Sequence, residues 1–243
     1  MYYDYHMHCD FSRDSKTPME DMIRKSIDLK LSEICFTDHS DYSILVNNIE
    51  QDHEVDYKNY LKSLEFFQNK YKKEITIKKG VEIGLQNHTI DKYIEDIKSY
   101  DFDFVIASIH TINKSDLIDR DFYKNKSQYE AYRQYYENLY NIIKKFKNYS
   151  VLGHLDLVKR YGDLNNIIDD KIFGDEIDEI LKMAIYDGKG IEINTSCFRY
   201  NMPDLTPSSY ILKRYKQNIN MYYNRGWNYF FRFKILTGGN KWK

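Results

Sequence analysis

Cysteine and proline are scarce in this chain, three of each among 243 residues, and glycine occurs only ten times. Cys9, Cys35 and Cys197 show no paired spacing, which excludes a disulfide-stapled scaffold and fits reduced thiols in a cytoplasm. With so little Pro and Gly and no Ser-rich stretch, no linker divides the chain, so residues 1–243 are expected to form one domain. No internal repeat is visible. No stretch stays apolar for the roughly 18 residues that a membrane helix needs. The N-terminus places Tyr, Asp and His where a secretory leader needs an apolar run, so no export is expected. An excess of charge is missing too: 36 Lys plus Arg face 37 Asp plus Glu. That balance removes the broad basic field on which non-specific nucleic-acid binding depends. The sequence therefore predicts a cytoplasmic globular protein with one sizeable core and neither nucleic acid nor membrane as partner. Its oligomeric state is not legible.

What is present is an ordered alternation. Strand-like runs that are short, β-branched or aromatic occur at Tyr2–His8, Glu33–Asp38, Ile75–Ile83, Phe104–Ile109, Ser150–Leu155 and Gly190–Asn194. Helix-like segments with apolar residues three and four apart lie between them, among them Met19–Leu29, Tyr57–Tyr71, Ser127–Phe146 and Asp175–Ala184. This alternation predicts an α/β fold with a parallel sheet and crossover helices. An open doubly wound sheet would carry a Gly-rich first turn, and here that turn is His8-Cys9-Asp10-Phe11-Ser12-Arg13-Asp14. Polar groups at the C-terminal ends of nearly every strand favour a barrel, where those ends meet on one rim.

Those ends carry the chemistry. The first gives His6 and His8, two apart and so on one face of a strand, followed by Asp14. The later ones give Asp38-His39, Glu82, His110, His154 with Asp156, and Glu192. Five of the seven histidines thus share one structural position. Imidazoles and carboxylates together hold Zn, Mn or Fe, and Glu82 can bridge two ions. A metal cluster of that kind acidifies bound water and clamps the oxygens of a phosphate ester. Arg160 and Arg199, each a few residues past a rim strand, add cationic forks for phosphate.

These motifs resemble the polymerase and histidinol phosphatase (PHP) family, and within it the histidinol-phosphatase branch. His6-x-His8 with Ser12-Arg13-Asp14 matches the first family motif and Thr37-Asp38-His39 the second, while Glu82, His110 and His154 fall where the next ligands fall. The likeness covers roughly residues 1–215, and the ordered set is far more specific than a lone His-x-His. It implies a distorted (β/α)7 barrel, three divalent ions held by His6, His8, Asp14, His39, Glu82, His110 and His154, and phosphate contacts from Arg160 and Arg199. The implied reaction is hydrolysis of L-histidinol phosphate in histidine biosynthesis. His6, His8, Glu82 and His110 would act through the metal cluster.

The pattern breaks at the last strand, so residues from about 216 to 243 are expected to form an aberrant tail. The family closes its seventh strand with Gly-Ser-Asp-x-His, whereas this chain runs from Gly226 to Thr237 without a ligand, and its last histidine is His154. Read back into codons, with degenerate positions chosen freely, deleting one base at Trp227 and one at Lys234 can give an apolar strand, Gly-Ser and Asp-Ser-His. Two single-base insertions are therefore expected, with loss of at least one ion site. Three rivals remain. An amidohydrolase-type barrel also begins with His-x-His, but commonly has a modified Lys where this chain has His110. A PHP phosphoesterase acting on nucleotides is the second, and a decayed protein keeping partial metal and phosphate binding is the third. His53 and His88 are read as surface residues, Phe122–Tyr140 as an amphipathic outer helix bordering the site, and Asp10 and Asp38 as supports for neighbouring ligands.

Overall fold

The computed structural model describes residues 2–46 and 49–223, with side chains through residue 219. The expected seventh strand and the Gly226–Thr237 segment lie outside the described residues. In chain order the elements are β1 (Tyr2–Met7), α1 (Met19–Asp28), β2 (Leu31–Phe36), β3 (His39–Val46), β4 (Ile49–His53), α2 (Tyr57–Tyr71), β5 (Thr76–Gly84), α3 (Ile90–Ser99), β6 (Phe104–Ser108), β7 (Thr111–Ile112) and β8 (Ser115–Asp116). They continue with α4 (Gln128–Lys145), β9 (Val151–Leu152), α5 (Val158–Tyr161), α6 (Gly174–Tyr186), β10 (Gly190–Ile191) and α7 (Ser209–Tyr223).

The sheet runs β1-β2-β5-β6-β9-β10, every adjacent pair parallel, as the alternation requires. Five strand steps separate β1 from β10, which in a flat sheet would be about 24 Å. Yet His6 Nδ1 on β1 lies 2.5 Å from Glu192 Oε1 just past β10. The sheet is therefore curled into a half-barrel, and its polar strand ends converge on one rim.

β3, β4 and the β7–β8 ribbon lie where no strand is expected, and two expected strands are short. The regular ladder at Ser150–Leu155 and Gly190–Asn194 is confined to two residues in each strand, because the His154 N–H turns aside to the Glu192 carboxylate at 2.8 Å. The charged stretch around His53 is β4, paired antiparallel with β3. β5 is shared along its length: its first half pairs with β2 and its second half with β3, His39 opposite Glu82 and Asp41 opposite Gly84.

The core is rich in tyrosine; Tyr60, Tyr93, Tyr132, Tyr135 and Tyr136 are among the largest fully buried side chains. A buried phenol needs a partner for its O–H. Tyr93 uses that need to staple the rim, its hydroxyl lying 2.7 Å from Ser40 O on β3 and 3.0 Å from Gly84 O on β5. The segment Phe122–Tyr140 turns this ring surface inward: Tyr132, Tyr135 and Tyr136 occupy the buried face of α4, whose start is fixed by a capping box between Ser127 and Glu130.

Candidate active site

Glu82 is the centre on which the rim is built. It is fully buried on β5, flanked by β3 and β6, and Ser108 Oγ donates to its Oε1 at 2.6 Å. Room for the surrounding side chains comes from two glycines. A Cβ on Gly84 would fall onto Asp41 Oδ1, and one on Gly153 would fall onto Ser108 Oγ, so any larger residue there would displace groups of the site.

Five imidazoles face the Glu82 carboxylate. His6 Nε2 is 3.0 Å from it, His154 Nε2 2.9 Å, His39 Nδ1 3.2 Å, His8 Nε2 3.3 Å and His110 Nε2 3.3 Å. Asp14 closes the outer side, 3.2 Å from His8 Nδ1 and 3.8 Å from His39 Nε2. Three groups bring their donor atoms within 4.8 Å of one another: His6-Glu82-His154, His8-His39-Glu82 and His39-Asp41-His110. The first two share Glu82 and the last two share His39.

Charge and burial act against each other here. Burial alone would push the Glu82 carboxyl upward, but His6, His39 and His110 beside it hold it well below its ordinary value. Burial disfavours the His6 and His110 cations, yet Glu192 and Glu82 around the first, and Asp41 and Glu82 around the second, raise both well above an ordinary imidazole. His8, buried but hydrogen-bonded to Asp14 and Glu82, is raised to about 9. Burial prevails at His39, lowered to about 4, and also lowers His154.

The residues present fit divalent metal ions. His154 Nδ1 is buried without a hydrogen-bond partner, and His39 Nδ1, although 3.2 Å from Glu82, is not aligned to form one, so the cluster is not closed by its own hydrogen bonds. Its nitrogen and oxygen donors are those that Zn, Mn and Fe accept. The outer nitrogens of two rings are steadied by acids, His6 Nδ1 by Glu192 and His110 Nδ1 by Asp41 Oδ1 at 2.8 Å.

Above this floor opens a cavity of about 550 Å³, lined by all nine residues singled out in the sequence: His6, His8, Asp14, His39, Glu82, His110, His154, Arg160 and Arg199. Arg160 Nη2 donates to Ser196 Oγ at 2.6 Å, and its guanidinium lies 4.7 Å from the Tyr200 ring centre. Its Nε is buried without a partner, leaving a donor for a bound oxygen. Arg199 stands exposed at the mouth.

Sequence reasoning left two groups unassigned. Asp41 lies two residues past His39 on β3, the same spacing that placed His6 and His8 on one face, but that stretch was not read as a strand. Glu192 was noted as a strand end without a role, and it bonds both His6 and the His154 backbone. Three minor expectations need correction. His53 lines the cavity, 3.1 Å from Arg13 Nη1, because β4 folds back over the mouth. Asp10 is exposed, with no side-chain hydrogen bond to a histidine among the described residues, while Asp38 anchors the loop after His8 by accepting from Cys9 N–H at 2.7 Å. Phe122–Tyr140 does contain most of the expected amphipathic helix, α4, but it does not border the cavity. His88 is an exposed loop residue, as read, with Nε2 2.7 Å from Ser43 Oγ.

Comparison with known proteins gives a consistent picture. The PHP domain family model matches residues 4–196. A histidinol-phosphatase of Lactococcus lactis subsp. lactis (strain IL1403) is 34% identical over 197 residues, 80% of this chain and 72% of that protein. A probable histidinol-phosphatase of Clostridium acetobutylicum is 30% identical over 222 residues, 89% and 82% of the two chains. Among solved structures, a histidinol phosphate phosphatase from Lactococcus lactis subsp. lactis Il1403, complexed with zinc, L-histidinol and phosphate, superposes with a TM-score of 0.80 at 30% identity, covering 98% of this chain and 84% of that one.

Proposed function

This chain belongs to the PHP domain family, and on that premise we propose that it is a metal-dependent phosphomonoesterase converting L-histidinol phosphate and water into L-histidinol and phosphate. One observation carries the reading: a single cavity combines the Glu82–histidine floor with Arg160 and Arg199 on its wall. Divalent ions held by His6, His8, Asp14, His39, Glu82, His110 and His154 would supply Lewis acidity and a water acidic enough to attack near neutral pH.

The chain's own residues do the positioning. Glu82 carries the charge shared by the ligand groups, and Ser108 fixes its rotamer from below. Glu192 and Asp41 hold the rings of His6 and His110 so that their opposite nitrogens point inward. Arg160, fastened to Ser196 and stacked over Tyr200, presents its free Nε–H to a phosphoryl oxygen, with Arg199 as a second fork. Three buried free cysteines support a cytoplasmic setting for this chemistry.

The test is phosphate release by the full chain, with zinc or manganese added, from L-histidinol phosphate, nucleoside monophosphates and phenyl phosphate. L-Histidinol phosphate is expected to give the highest kcat/KM; a preference for nucleotides sinks the substrate, and no release from any ester sinks the activity. A second reading rests on the sequence after Asp204, which contains neither acid nor histidine: a protein that binds phosphate and part of the metal set without turnover. Rewriting the tail to restore Asp-Ser-His separates the two. Under the second reading the repaired variant binds more metal than the natural chain and alone releases phosphate.

A further inference from the structure

Resting on the reading above, we propose that Thr111 and Asp116 form the subsite for the ammonium group of the alcohol, so that this cavity selects phosphate esters of amino alcohols. Both residues line the cavity. They face each other as a directly opposed pair in the two-stranded ribbon β7–β8, which places their side chains on one face. Thr111 is 2% exposed and its Oγ1 has no hydrogen-bond partner, an unsatisfied buried hydroxyl that a ligand N–H would complete. Asp116 accepts from the Ile118 N–H through Oδ1 at 2.5 Å, which fixes the carboxylate. Asp119, also lining the cavity, adds negative charge on this side. The phosphate-binding arginines come from other elements, the segments following β9 and β10, so anion and cation of a zwitterionic ester have separate walls.

The ribbon is held for this purpose. Its two-residue turn places Asn113 and Lys114 at φ of 50° and 66°, the left-handed region that a lysine rarely adopts. Gln86 Oε1 accepts the Lys114 N–H at 2.9 Å, Lys114 Nζ pairs with Glu50 at 2.5 Å, and the Leu117 N–H returns to His110 O at 3.0 Å. The subsite is thereby tied to the residue that follows β6 into the metal floor.

The experiment is calorimetric binding of L-histidinol to the zinc-loaded full chain in the presence of inorganic phosphate, beside imidazolepropanol, which is L-histidinol without its amine. Asp116→Asn should weaken L-histidinol binding about 10- to 100-fold, the range of a charge-assisted hydrogen bond. It should leave imidazolepropanol and inorganic phosphate unchanged. Thr111→Val should weaken L-histidinol by a smaller factor and also spare phosphate. Equal weakening of both alcohols, no weakening of either, or no binding of L-histidinol by the wild-type chain overturns the subsite. If the wild type binds L-histidinol but releases no phosphate from its ester, the assigned activity falls while the subsite stands.

Discussion

Two buried charged clusters stand a few residues apart in this molecule, and they are built differently. At the rim, five imidazoles and Glu82 leave His39 Nδ1 and His154 Nδ1 without hydrogen-bond partners. Beneath α5, Lys159 Nζ sits 2.9 Å from Asp156 and 2.6 Å from Asp170, while Ser208 donates its N–H to Asp156 at 3.0 Å and its O–H to Asp170 at 2.5 Å. Only Asp156 Oδ1 is left over there. Both clusters are charged and nearly inaccessible. What separates a site from a staple is whether its donors and acceptors close on one another, for burial and charge alone do not tell them apart.

The largest effect expected from breaking this contrast is at Glu82. Glu82→Gln keeps the shape and removes the shared charge, so phosphate release should fall about 10³-fold or more, since ligands of one cluster act as a unit, with metal per chain falling in parallel by elemental analysis. Undiminished metal content would show that Glu82 is not a ligand. Lys159→Met attacks the closed cluster instead. It leaves two carboxylates buried without their cation and should cost about 3 kcal/mol in urea unfolding. A variant as stable as the wild type would refute the structural role.

Chelation sharpens the same contrast at intermediate size. Removing metal should lower the thermal midpoint of the wild-type chain, and metal at about 100 times its Kd should restore about 2.7 kcal/mol. Lys159→Met should respond to metal by the same increment, because its cluster contributes no ligand. In the chelated protein His8 has its proton held to about 9. A folded pKa raised above the unfolded value of about 6.5 gives stability that is present below pH 6.5 and lost as pH rises through about 9. Metal-loaded protein should show the opposite slope, because the ion displaces that proton; parallel pH profiles in the two forms would break the argument. The smallest effect is at the staple between β3 and β5. Tyr93→Phe removes a buried hydroxyl from Ser40 O and Gly84 O and should cost about 1 kcal/mol by urea unfolding, with metal content unchanged.

Local rules made much of this legible. The alternating faces of Tyr2–His8 put His6 and His8 together, and each later strand delivered a polar group at its C-terminal end. Asp41 was lost because the stretch after Thr37-Asp38 is polar and reads as loop, although β5 is long enough to pair with β2 first and β3 afterwards. His53 was lost for the same reason, since a run of Glu50, Gln51 and Asp52 looks solvated until β3 supplies its partner. Glu192 carried no signal of its role because its partner His6 lies at the other end of the sheet.

The sequence by itself determined the six parallel strands and the main helices between them, most residues at the rim and the family likeness, because periodicity and residue chemistry are properties of neighbours along the chain. The tertiary structure decided which nitrogen meets which oxygen, that Asp41 and Glu192 steady the histidines, and that Lys159 closes on two carboxylates while His154 keeps an unpartnered Nδ1. Those outcomes depend on curvature that brings β1 and β10 together, and distance across a curled sheet is not encoded in any local period.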